Sequence, residues 1–202
     1  MGGGASKADP TLAELQKGYE LKKKGDFAGS ARAFDSCAKQ RSKKYGLEHS
    51  LTLAARQALS GCMISQKKYG EAQSILNDVI EKRKKVLGDN HADTLTSVST
   101  LATLYHQMKQ LNKAEPLYKE VLTGRQALPD IGPSHPSTLS SMANLGMCLS
   151  DLEKFGEAEK LFTEVLNQQT SKHGAESKET IEATAQLALC HFKSGKSSAS
   201  MP

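Results

Sequence analysis

The sequence predicts an all-α fold, an α-solenoid of about four helical pairs closed by a C-terminal capping helix. The pattern Gly-x-x-His-x-x-Thr recurs as Gly46/His49/Thr52, Gly88/His91/Thr94 and Gly132/His135/Thr138, and returns altered as Gly174/Ser177/Thr180. Its intervals of 42, 44 and 42 residues fall in the range that marks stacked helical pairs. Between these loops the residues align in columns of small and bulky apolar side chains, as antiparallel helices that cross closely require.

Taken in order, the chain begins with a flexible leader, 1–9, in which Gly2, Ser6 and Lys7 fit the pattern for N-myristoylation of a glycine exposed by removal of Met1. A repeat domain follows over 10–193, counted as one domain and divided into 10–50, 51–92, 93–136, 137–178 and a capping helix over 179–193. A tail over 194–202, rich in small residues, is expected to be disordered.

Within the repeats, small residues recur in the first helix of each pair at Gly18, Ser60, Ala102, Gly146 and Ala188, and in the second at Ser30, Ala72, Ala114 and Ala158. Bulky residues at Phe34, Leu76, Tyr118 and Phe162 are expected to fill the space around the crossings. Lys17 stands in the column of Leu59, Leu101, Leu145 and Leu187, which suits a first helix with no repeat before it. Gly25-Asp26 marks the turn inside the first pair, with weaker marks at Lys68-Tyr69-Gly70, Gln110-Leu111-Asn112 and Lys154-Phe155-Gly156.

The recurring loop has a mechanical explanation. Each glycine is expected just past a helix, at positive φ, and three residues later His49, His91, His135 and Ser177 are expected to cap the next helix. Pro136 after His135 fits a first helical position. Because Ser177 replaces histidine, the column reads as caps rather than metal ligands, and histidines one repeat apart are too distant to share an ion.

No phosphate-cradling glycine loop, nucleophile elbow, His-Glu-x-x-His helix or Cys-x-x-Cys pair is present, so neither an enzyme nor a cofactor is expected. Cys62, Cys148 and Cys190 share one repeat position, and Cys37 shares a slot with Val79, Val121 and Val165, so the thiols read as packing residues. The net charge of +5 is uneven. Residues 1–92 carry 17 Lys and Arg against 10 Asp and Glu, whereas residues 93–202 carry 10 against 12. The first half, with Lys22, Lys23, Lys24, Lys39, Arg41, Lys43 and Lys44, is therefore a candidate for an anionic membrane surface, and nucleic acid is the alternative partner.

The columns, the segment Ala114-Glu115-Pro116-Leu117-Tyr118 and the junction Gly132-Pro133-Ser134-His135-Pro136 resemble the tetratricopeptide repeat, in its 42-residue kinesin light chain form. The resemblance implies a right-handed α-solenoid of about four TPR-like helical pairs plus a C-terminal capping helix. It also implies a non-catalytic adaptor or scaffold that holds a protein or peptide in a concave groove lined by the first helices. Separately, the lack of a long apolar stretch or secretory signal reads as a cytoplasmic protein, and Gly2 with the basic first half as a peripheral membrane tether. By alignment the groove residues are Tyr19, Lys22, Gln57, Ile64, Thr103, His106, Gln107, Asn144, Met147 and Gln186, with Gln57, Thr103 and Asn144 expected to bond a peptide backbone. Leu15 and Tyr19 stand where chaperone-binding repeats carry a lysine and an asparagine, so that use is not expected.

Overall fold

The computed structural model describes residues 11–195, so Gly2 and the rest of the leader lie outside the described residues. Among the described residues there are nine α-helices and no strand: α1 (Thr11–Lys23), α2 (Phe27–Tyr45), α3 (Ser50–Ser65), α4 (Tyr69–Leu87), α5 (Ala92–Gln107), α6 (Leu111–Ala127), α7 (Pro136–Asp151), α8 (Phe155–His173) and α9 (Lys178–Lys193). The chain divides between Thr100 and Leu101 into two compact units.

In the first unit α1 packs on α2, α2 on α3 and α3 on α4. Its core places Ala31, Phe34, Leu59 and Cys62 together, with Leu15, Ala58, Met63 and Ile75 against them. The Phe34 ring sits where a side chain on Gly18 would stand, which is why this crossing takes glycine. Ser30, in the small column of the second helices, donates its hydroxyl to the Gly18 carbonyl at 2.7 Å and so ties α2 to α1.

In the second unit α6 packs on α7, α7 on α8, and α9 on both α8 and α7. Tyr118, Leu139, Met142, Leu145, Leu149, Phe162 and Val165 form its core, which Ala183 and Cys190 of α9 join. Thus α9 covers the fourth pair, as a capping helix should. Its outer side is less polar than a terminal cap requires: Ile181, Leu189 and Phe192 are 58%, 55% and 70% exposed. Ile181 occupies the column of Leu53, Leu95 and Leu139, which are buried in their own pairs.

The loops between pairs behave as the Gly-x-x-His-x-x-Thr chemistry demands. Gly46, Gly88 and Gly174 cap the C-termini of α2, α4 and α8 at φ of +96°, +90° and +84°. Nδ1 of His49, His91 and His135 accepts the backbone N–H two residues on, at 3.1–3.2 Å, and Ser177 Oγ accepts from Thr180 N at 3.2 Å. The threonine closes the loop: Oγ1 of Thr52, Thr94, Thr138 and Thr180 donates to the carbonyl of the glycine six residues earlier, at 2.7–2.9 Å. The third loop departs from expectation. Helix α6 ends at Ala127 with Leu128 as its cap, and Gly132 (φ +61°) closes a further turn onto the Leu128 carbonyl. The two extra residues of the 44-residue interval are absorbed there, outside the helices.

Turns within pairs also differ from the sequence marks. The left-handed residue is Gly25 in the first pair but Lys67, Lys109 and Glu153 in the others. Gly70 and Gly156, expected at those turns, lie in the first turns of α4 and α8. Asp26 caps α2 by accepting from Gly29 N at 2.7 Å, whereas Lys68, Gln110 and Lys154 supply no capping side chain.

Candidate functional site

Three second helices each bury an arginine at the same repeat position: Arg41, Arg83 and Arg125 are 2%, 3% and 7% exposed. Each guanidinium reaches forward to the first turn of the following helix, bonding the carbonyl of Leu51 (3.0 Å), Asp93 (2.8 Å) or Ser137 (2.7 Å). Arg83 and Arg125 also donate to Ser97 and Ser141 hydroxyls at 2.6 and 2.7 Å, and Arg41 donates to Thr11 Oγ1 at 3.0 Å. A buried charge must be hydrogen-bonded to be tolerated, and these bonds lock each pair to the start of the next. The arginines escaped the motif reading although they recur every 42 residues. Arg41 in particular belongs to this internal network and not to a basic surface run. Lys39, assigned to the same run, is paired with Asp35 at 2.6 Å.

In the first unit a cleft of about 330 Å³ opens on the face of α1, α3 and the first turns of α5. Tyr19, Lys22, Ala54, Gln57, Ala58, Gly61, Arg83, Asp93, Thr96 and Thr100 line it, so three of the four groove residues assigned to this unit from sequence come together there. The fourth, Ile64, is buried and presents little to a ligand. Tyr19 is half exposed and stands edge-on to Phe34, with ring centroids 5.0 Å apart. Gln57 points inward: its Oε1 accepts from Arg83 and from Ser97 Oγ. Burial pushes the Arg83 pKa down from the ordinary arginine range, and the Asp93 charge opposes that shift. Nε of Arg83 has no hydrogen-bond partner.

A larger cleft between α2 and α4, about 430 Å³, is rimmed by charges that already pair with each other. Asp35 holds Lys39, and Asp78 holds both Arg56 and Lys82. It has an apolar floor of Ala38, Leu59 and Ile75, and its rim charges are engaged with one another.

In the second unit the assigned residues divide into internal and presented groups. Thr103 Oγ1 receives the Tyr118 hydroxyl at 3.1 Å, and burial pushes the Tyr118 pKa up to about 12. His106 Nε2 lies 3.0 Å from Asp151, which also pairs with Lys193 at 2.8 Å and Lys109 at 3.4 Å. Burial opposes ionisation of Asp151, but hydrogen bonds from Lys193 and His106 hold its pKa down at about 2. Gln107 and Met147 are exposed, and Asn144 and Gln186 half-buried, so these four remain presented.

All four cysteines are buried free thiols, and burial pushes the Cys148 pKa up to about 11, far from the range of a reactive thiolate. Among the described residues no group of three or more His, Cys, Asp or Glu is placed to hold a metal ion, and no helix is long and apolar enough to cross a membrane.

Paired antiparallel helices, glycine-capped loops and an inter-repeat arginine lock define a helical-repeat protein. The tetratricopeptide repeat model matches residues 62–127 and 137–200, more than half of the chain, and the chain belongs to that family. Tetratricopeptide repeats are typical of protein–protein interaction scaffolds. The fold is similar to crystal structures of nearly identical TPR-like repeats from a putative kinesin light chain of Podosopora anserina. In that comparison the TM-score is 0.78 at 21% identity, with 94% of this chain and 90% of the other covered. It is also similar to BtubC (BKLC) from P. vanneervenii, with a TM-score of 0.75 at 16% identity over 89% of this chain and 71% of that one. YrrB, a TPR protein with an unusual peptide-binding site, aligns with a TM-score of 0.53 at 12% identity over 95% and 80%. These likenesses establish an all-α tetratricopeptide solenoid with kinesin light chain-like repeats. No curated protein matches the sequence.

Proposed function

We propose that the chain is a non-catalytic adaptor that binds an extended peptide or protein segment on the faces of its first helices. The observation that carries this reading is the first-unit cleft, where Tyr19, Lys22 and Thr100 surround small residues, Ala54, Ala58 and Gly61, that leave room for a backbone. An exposed aromatic edge, a cation and hydroxyls over a small-residue floor suit an extended chain, whose side chains supply apolar contact and whose backbone supplies hydrogen bonds. The peptide-binding site of YrrB gives a precedent within the same fold. On the second unit Gln107, Asn144, Met147 and Gln186 offer the corresponding presented side chains.

The test is a peptide selected from a random library on the immobilised chain and then titrated against variants. Tyr19→Ala with Thr100→Lys removes the aromatic edge and fills the cleft. It should weaken binding at least about tenfold, the 1.4 kcal/mol expected for one lost anchor, with helicity unchanged. Equal affinity would move the site to another face.

The same reading places the adaptor in the cytoplasm and recruits it to membrane by acylation of Gly2. One acyl chain gives only marginal binding, so a second membrane contact is required. The mass of the N-terminal peptide from the native source tests the acylation directly, and Gly2→Ala should shift the protein to the soluble fraction. Unchanged partitioning of that variant would remove the tether.

A further inference from the structure

The turns at one end of the first unit carry a cluster of lysines that the fold itself does not use. Lys22 and Lys23 end α1, Lys24 follows it, and Lys67 and Lys68 form the turn between α3 and α4. The two turns lie side by side: Gln66 Nε2 donates to the Phe27 carbonyl at 3.0 Å, and Lys68 shares a cleft with Ala28 and Arg32. All five lysines are exposed, and among the described residues none is in an ion pair. The acids nearest in the chain are Glu20, Asp26 and Glu71, of which Asp26 is occupied in capping α2.

The repeat pattern shows how unusual this end is. At the matching turns of the second unit the cations are satisfied internally, Lys109 and Lys193 by Asp151 and Lys154 by Glu115. In the first unit the position matching Asp151 is Lys23 in one pair and Ser65 in the next. Two of the lysines also stand where local physics disfavours them. Lys67 adopts φ +59°, and Lys68 heads α4 at the positive end of its dipole without capping it. Lys109 (φ +58°) and Lys154 stand in the same positions in the second unit, so what sets this end apart is that, among the described residues, its lysines have no acidic partner.

We propose that this lysine end is a docking surface for an anionic phospholipid bilayer. The choice of partner rests on the membrane reading above, since the same chain begins with a candidate acylation site and a single acyl chain needs a polybasic companion. Nine residue steps separate Gly2 from Thr11, at most about 30 Å of chain, which exceeds the about 20 Å length of α1. A lipid on Gly2 and the lysine end can therefore meet one surface. The basic residues at the other end of α2, Lys43 and Lys44, lie about 25 Å away along that helix, at the end where Arg41 meets the start of α1.

The test uses the full chain without an acyl group, so that it stands or falls independently of Gly2. Sedimentation with phosphatidylcholine vesicles, with and without phosphatidylserine, should show binding only to the anionic vesicles and its loss in high salt. Lys24→Glu, Lys67→Glu and Lys68→Glu together should weaken binding on the order of 100-fold, each lysine near an anionic leaflet being worth about a factor of five. Glu153 already occupies the turn position of Lys67 in another pair, so the fold accommodates the change. The same charge change at the opposite end, Lys39→Glu, Lys43→Glu and Lys44→Glu, should have little effect. Three results would each overturn the proposal: no binding of the parent chain to anionic vesicles at low salt, equal loss in both triple variants, or lysine-dependent binding to short duplex DNA without binding to vesicles. Failure of Gly2 acylation alone would leave the surface standing.

Discussion

The Phe162 ring occupies the place of a side chain on Gly146: a Cβ built on that glycine would lie 2.8 Å from the ring's Cε1 and Cζ atoms. Phe34 stands over Gly18 in the same way, with a closest approach of 2.6 Å. The other pairs reach the same crossing with Ser60 and Leu76, and with Ala102 and Tyr118. Each pair thus trades side-chain volume at one column for volume at the other.

Replacing Gly146 by Ala therefore sets two effects against each other. Alanine favours the helix by about 0.5–1 kcal/mol, and overpacking a closed core costs about 1–3 kcal/mol. Because Phe162 is almost wholly buried, the ring has no free space to enter and the second effect should win. Gly146→Ala should lower the urea midpoint, and adding Phe162→Leu should return part of the loss, giving a coupling of about 1 kcal/mol in the double-mutant cycle. A rise in midpoint on the single change would show that the ring can slide aside.

The second intrapair turn should be improvable by copying the first. Lys67→Gly relieves a left-handed backbone that glycine adopts without strain, and Lys68→Asp supplies the cap that Asp26 gives α2. Each change is worth about 1 kcal/mol, so together they should raise the thermal midpoint by several degrees. The same pair of changes removes three units of positive charge from the lysine end, so vesicle binding should fall as stability rises. A variant neither more stable nor weaker in binding would contradict both accounts of these lysines.

The fold was legible because its signals are local and repeated. Gly46 and His49 act on backbone within a few residues, so spacing alone reveals them. The matching role of Thr52, a bond to the Gly46 carbonyl, involves a residue within the motif itself but closes over six positions, and nothing in composition announces it. Arg41, Arg83 and Arg125 illustrate a harder limit. In sequence they look like surface cations, and they are buried only because the next helix brings a free carbonyl and often a hydroxyl to meet them. For Gln57, Thr103 and His106 the alignment assigned groove columns, but Arg83, Tyr118 and Asp151 arrive from other helices and engage the side chains in internal bonds. Exposure, not column, separates a presented residue from a structural one.

Asp151 joins α7 to α9 through Lys193 and to the end of α5 through His106 and Lys109, and its charge should appear in the pH dependence of stability. Its folded pKa of about 2 lies below the unfolded value of about 3.9. The carboxylate therefore contributes its full stabilisation above about pH 4, and the contribution is lost as pH falls through about 2. The shift alone would correspond to about 2.6 kcal/mol, but Lys109 is largely exposed and Lys193 partly so, and screening should reduce this to about 1–2 kcal/mol. Asp151→Asn should thus be less stable than the parent at neutral pH by that amount, with the two converging at the acid end. Urea midpoints for both proteins across this range provide the measurement. Hydrogen exchange should show the loss first in α9, which has no following helix among the described residues and leans on Lys193 at its last turn. Parallel pH profiles for the two proteins would mean that Asp151 is paired in the structure without contributing to stability.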